Sequence, residues 1–208
     1  MAPVAEERRA GRRPSTSRDE IARVAFGLFV ERGFDATTVD DIAEAVGIGR
    51  RTLFRYFPSK NEIVWGDWEG ELDRLRTNLA AVSHVTPLMR AIREAVLATN
   101  DFGAEDLPEL RVRMQLLVTV PTLQAYSTLR YMEWRDVIAR FAAARVGQDV
   151  EDVYPQSLAH ATLGVTLAAF LRWVRLGGTP LRPLLERALR HLETGFTEPT
   201  RDDVTTPS

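Results

Sequence analysis

The chain has 208 residues, enough for one small module plus one larger helical domain, and its 45 % hydrophobic residues can fill a sizeable core. It has no cysteine, which excludes a disulfide framework, a thiolate metal site and a cysteine nucleophile. The net charge of −2 divides unevenly: residues 1–60 hold 11 Lys and Arg against 9 Asp and Glu, and residues 61–208 hold 16 against 20. Phosphate binding needs clustered cations rather than a basic whole.

Residues 1–16 are rich in Arg, Pro, Ala and Ser, show no periodicity and predict a disordered basic arm. The apolar run after them, Ile21 to Val30, is broken by Arg23 and is too short for a membrane span or a signal sequence, so no membrane partner and a cytoplasmic location are expected. Ser17 and Glu20 form a capping-box pattern that opens a first helix ending near Gly33. Thr38 caps a short second helix with Asp40 and Asp41 in its first turn. Gly47 makes a turn, and a third helix runs from Gly49 to Phe57, where Pro58 stops it. Ser59 and Glu62 open a fourth helix, expected to be long, with an apolar stripe of Val64, Trp68, Leu72, Leu75, Leu79 and Val82. Further helices are predicted after Pro87, after the break from Gly103 to Pro108, from Pro121, over 156–176 and from Pro183 to Phe196, with a polar disordered tail at 197–208. The fold class is therefore all-α with about nine helices. A DNA-binding module is expected over 17–60 and a ligand-binding and dimerisation domain over 61–196.

The strongest chemical signal lies between Thr37 and Lys60. Two short helices around Gly47 make a helix-turn-helix, whose second helix can enter a major groove. One side of the unit is apolar, with Ile42, Val46, Ile48, Leu53 and Phe57; the other carries Arg50, Arg51, Thr52, Arg55 and Tyr56. A recognition helix needs this division, because one face anchors it and the other offers donors to bases and phosphates. Phe54 and Phe57 both read as core rather than as contacts.

The segment "IARVAFGLFVERGFDATTVDDIAEAVGIGRRTLFRYFPSK", Ile21 to Lys60, closely resembles the TetR family of one-component regulators. The resemblance covers about the first third of the chain and implies a homodimer on double-stranded operator DNA, released by a small-molecule effector, with repression the family default, a ligand-dependent activator of the same fold the alternative, and no catalytic cofactor. It places Arg50, Arg51 and Thr52 at the groove, Tyr56 and Lys60 on phosphates, and Thr37 and Thr38 on phosphates before the second helix. Two departures stand out: Gly49 replaces a frequent Ser or Thr cap, and Phe54 replaces a common Tyr. The phrase "FRYFPSKNEIVWGDWEGELDRLR" also resembles a subgroup of that family associated with mycofactocin gene clusters.

In the second domain the expected effector-pocket residues are Trp68, Leu72, Met114, Leu117, Val118, Tyr126, Trp134, Phe170 and Trp173, apolar groups that suit a bulky apolar ligand such as a fatty acyl thioester. Arg111, Arg113 and Arg130 are available for an anionic end. The last two helices resemble the family's dimerisation bundle, with Ala159, Ala161, Gly164, Ala168 and Ala169 permitting close approach and Leu163, Leu167 and Leu171 supplying apolar area. An enzyme is disfavoured, because no HExxH motif, Gly-rich phosphate loop or nucleophile elbow occurs. A purely structural DNA-binding protein does not account for the bulky apolar second domain.

Overall fold

A computed structural model describes residues 16–196, and every regular element in them is an α-helix. The basic arm and the polar tail lie outside the described residues, apart from Thr16. Helix α1 (Arg18–Arg32) begins where Ser17 Oγ accepts the Glu20 N–H at 3.1 Å. Helix α2 (Val39–Val46) starts with a reciprocal cap: Thr38 Oγ1 accepts the Asp41 N–H, and the Asp41 carboxylate accepts the Thr38 N–H at 2.7 Å. The Thr38 hydroxyl also donates to the Asp41 carboxylate, and this bond, with the one from the Thr38 N–H, holds the Asp41 carboxyl below the usual carboxylate range.

Gly47 then adopts φ 74° and ψ 30°, a left-handed conformation in which a side chain would be strained. The Ile48 N–H bonds back to Ala43 O at 2.9 Å, which turns the chain sharply into α3 (Arg50–Tyr56). Gly49, the N-cap of α3, supplies no side-chain hydrogen bond. Phe57 is extended ahead of Pro58 and ends the helix.

The predicted long fourth helix is two helices. Helix α4 (Lys60–Trp65) stops at Gly66, whose φ of +64° cannot continue an α-helix, and α5 (Trp68–Ala81) restarts when Asp67 accepts the Gly70 N–H at 3.3 Å. The apolar stripe hides the break because its members keep helical spacing on both sides. The described residues thus hold ten helices.

The remaining elements are α6 (Leu88–Thr99), α7 (Leu107–Thr119), α8 (Pro121–Val146), α9 (Val153–Arg175) and α10 (Leu181–Glu193). Three of them begin earlier than the sequence suggests, with Pro108, Pro155 and Pro183 inside the first turn. A first-turn residue has no intrahelical N–H bond to lose, so proline is tolerated there. Helix α9 is, among the described residues, the one helix long and apolar enough to cross a membrane by length and composition. Here it packs against α8 and α10 and buries Ala159, Val165, Phe170 and Trp173.

The chain separates into two units, one ending at Ile63 and one beginning at Val64. In the first, α1 packs on α2 and α2 on α3 around Ile21, Phe29, Ile42, Leu53 and Phe57. The Phe29 and Phe34 rings lie 5.0 Å apart. In the second, α9 lies between α8 and α10, and α6 and α7 complete the core. Arg111 finishes α9: its guanidinium lies over the Trp173 ring at 4.1 Å and donates to Trp173 O and Leu176 O, satisfying carbonyls that a helix end leaves without partners.

Candidate nucleic-acid interface and effector cavity

Helix α3 sorts its side chains by direction. Leu53 and Phe57, four residues apart, are buried and anchor it in the core of the first unit. Arg50, Arg51 and Arg55 are exposed, and Thr52 and Tyr56 are half-buried. The cations differ in how they are held. The Arg50 guanidinium donates to the Asp40 carboxylate at 2.9 Å and sits over the Phe54 ring. Arg55 lies over the Tyr56 ring, and the Tyr56 hydroxyl donates to Thr16 O at 2.8 Å. Arg51 has no hydrogen-bond or ion-pair partner among the described residues.

Three sequence-based readings change. Thr37 is fully buried, and its hydroxyl donates to Gly33 O at 2.8 Å and Leu28 O at 3.3 Å, so it cannot reach a phosphate and instead closes the α1–α2 loop. The Lys60 ammonium donates to Phe34 O at 2.7 Å and Thr37 O at 2.8 Å and lies over the Phe34 ring. Desolvation pushes its pKa down, partly offset by Asp35. Two of its three donors are thus used within the protein. Phe54, read as core, is exposed. Thr38 keeps an exposed position, with its hydroxyl committed to the cap.

Substituting Thr37 by Val preserves shape and removes both hydroxyl bonds. The expected outcome is a loss of about 1–2 kcal/mol of stability, measured by denaturant unfolding. The salt dependence of DNA binding should not change, because the hydroxyl faces no phosphate.

The second unit holds an aromatic-walled cavity of about 120 Å³. Of the residues expected there, Trp68, Met114, Leu117, Trp134 and Phe170 line it. Leu72, Val118, Tyr126 and Trp173 do not: Leu72 and Trp173 are buried core, and Tyr126 stacks with Arg130. Trp65, Phe102 and Tyr131 line it unannounced. The break at Gly66 could have flagged Trp65, since it sets the residues on either side at a helix junction. Burial pushes the Tyr131 phenol up, partly countered by a hydrogen bond with Ser127. Of the three arginines expected at an anionic end only Arg113 reaches the cavity, paired with Glu109 at 2.9 Å.

The small-residue face of α9 is also narrower than the sequence suggests. Ala159 and Ala169 are buried within the chain, and Leu163 and Leu167 line the cavity. Gly164, Ala168 and Leu171 face outward, beside an exposed His160 whose ring is held by Gln156 O and Arg135.

Comparison with known proteins places both units. Residues 21–64 match the model of bacterial regulatory proteins of the tetR family, and residues 86–197 match the model of the MftR C-terminal domain. The chain is 46 % identical to a Mycobacterium tuberculosis protein named as a mycofactocin biosynthesis transcriptional regulator, MftR, over 81 % of this chain and 85 % of that protein. Among solved structures, Thermus thermophilus FadR, a transcriptional repressor in complex with lauroyl-CoA, shares the fold with a TM-score of 0.57 at 23 % identity, covering 92 % of this chain and all of that one. A SmeT–triclosan complex does so with a TM-score of 0.64 at 18 % identity, covering 92 % and 99 %. The two matched family models and the mycobacterial relative identify this chain as a member of the TetR family of bacterial transcription regulators, with an MftR-type C-terminal domain.

Proposed function

We propose that this regulator represses transcription as a homodimer on a palindromic operator and that a small, largely apolar effector in the cavity releases it. The observation that carries the reading is the division of α3, anchored by Leu53 and Phe57 while Arg50, Arg51 and Arg55 stand in solvent. In this reading residues 17–60 bind DNA, residues 61–196 hold effector and partner protomer, and the protein works in the cytoplasm. Arg50 and Arg51 address bases; Arg55, Tyr56 and the third donor of Lys60 address phosphates. Thr52 stands at the groove, and Thr38 acts through the cap. The outward residues of α9 and α10 supply the dimer contact. C2 pairing then spaces two recognition helices by about 34–36 Å, one DNA turn.

Helix α4 is the proposed link. Its first residue, Lys60, pins the carbonyls that precede α2, and its last, Trp65, is a cavity wall. An effector that shifts Trp65 acts on Lys60 through less than two turns of helix. It changes operator affinity only through its different affinity for the two arrangements.

A fatty acyl thioester is the effector class we favour, on the strength of the aromatic walls and Arg113. A cavity of 120 Å³ is smaller than those that enclose a whole drug-sized ligand, so a long chain must widen it or leave part of itself outside. The test is a gel shift on a duplex from the chain's own promoter, with lauroyl-CoA as the probe. Retention that lauroyl-CoA reverses is the expected result. Indifference to that duplex sinks the regulatory reading, and retention unaffected by lauroyl-CoA sinks the effector class. Leu117→Trp should fill the cavity, keep DNA binding and blunt the release at least tenfold in effector concentration.

A further inference from the structure

The outward face of α3 contains a residue that neither anchors the helix nor can donate a hydrogen bond. Phe54 is 38 % exposed. It follows Leu53 directly, and a step of about 100° around the helix carries it off the buried stripe that Leu53 and Phe57 occupy. Its ring lies 5.5 Å from the Arg50 guanidinium, which donates to the Asp40 carboxylate at 2.9 Å. Arg51 and Arg55 stand exposed beside it.

A phenyl ring in this setting has few useful partners. It cannot bind a phosphate or pair with a base acceptor, because it has no donor. The three neighbouring guanidinium groups disfavour an apolar protein surface, which would have to desolvate them. They suit a polyanion, and the apolar group that duplex DNA offers in its major groove is the C5-methyl of thymine. We propose that Phe54 is a specificity-determining residue that reads a thymine methyl group next to the base pair addressed by Arg50. Asp40 then acts as a positioning residue: it fixes the Arg50 guanidinium against one side of the ring, so that the two side chains enter the groove together.

This inference rests on the DNA-binding reading, and the experiment separates the two. Duplexes are selected from a random-sequence library with the full-length protein, and each thymine of the selected sequence is replaced in turn by deoxyuridine. That exchange removes the methyl group and leaves the base-pairing and groove hydrogen bonds intact. The wild type should lose about fourfold in affinity at one thymine and at its symmetry mate, the worth of one buried methyl. Phe54→Ala should bind the parent duplex more weakly and lose the deoxyuridine effect at that position. Phe54→Leu, which keeps apolar contact, should retain part of it. Because Phe54 lies off the buried stripe, both variants should fold and melt cooperatively, Phe54→Leu close to the wild type. A wild type indifferent to every thymine replacement overturns the assignment, as does a Phe54→Ala protein as sensitive as wild type. A library that yields no enriched sequence overturns the DNA-binding reading and this assignment with it.

Discussion

Replacing Arg51 by alanine should lower operator affinity by about ten- to a hundredfold, the range expected for one bidentate arginine–base contact, and leave the folded state untouched. Arg51 is exposed at the start of α3 and has no polar partner among the described residues. Its guanidinium is therefore ready for a base edge without first breaking a bond. Arg50 differs, since its ion pair with Asp40 must survive or be exchanged when DNA arrives. That pair is solvent-exposed on both sides and contributes little to stability. Fluorescence anisotropy with the promoter duplex, together with a thermal melt, checks the prediction. Unchanged affinity at an unchanged melting temperature removes Arg51 from the interface.

Lys60→Met should act on folding first. The methionine keeps an apolar stem of similar length, so the change isolates the ammonium group. Two charge-assisted hydrogen bonds, to Phe34 O and Thr37 O, disappear together with the contact over the Phe34 ring. The expected loss is about 1–3 kcal/mol, read as a lower denaturant midpoint at constant slope. The third ammonium donor is free for a phosphate. The salt dependence of binding by the folded variant should therefore also flatten by about one counterion. A normal midpoint with a flattened slope would restore Lys60 to a purely electrostatic role, whereas a lowered midpoint with an unchanged slope would leave it purely structural.

The sequence exposed the parts of the fold that depend on neighbouring residues. The cap at Thr38, the turn at Gly47 and the stop at Pro58 are short-range events, and the residues that cause them lie within a few positions of one another. Periodicity failed where two patterns superimpose. The stripe from Val64 to Val82 continues through the break at Gly66, and only the Gly66-Asp67 pair, a terminator followed by a cap, marks it. Proline misled in the other direction at Pro108, Pro155 and Pro183, because it serves a helix's first turn as readily as the segment before it.

Site residues were legible by type and less so by direction. Phe54 and Phe57 are alike in the sequence, yet one is exposed and the other buried, since they lie at different angles around a short helix. The roles of Thr37 and Lys60 depend on carbonyl groups at Leu28, Gly33 and Phe34, and no side-chain pattern announces a carbonyl. In the cavity, Leu72 and Trp68 share a stripe, but only Trp68 reaches the open space.

The kink at Gly66 leaves α4 only six residues long. A helix of that length has no stability of its own, so its amide hydrogens should exchange with solvent sooner than those at the centres of α8 and α9. A ligand that immobilises α4 in one orientation raises the free energy that any second ligand must expend to hold it in another. Deuterium uptake by residues 60–65, followed with and without each ligand, gives that competition a local clock.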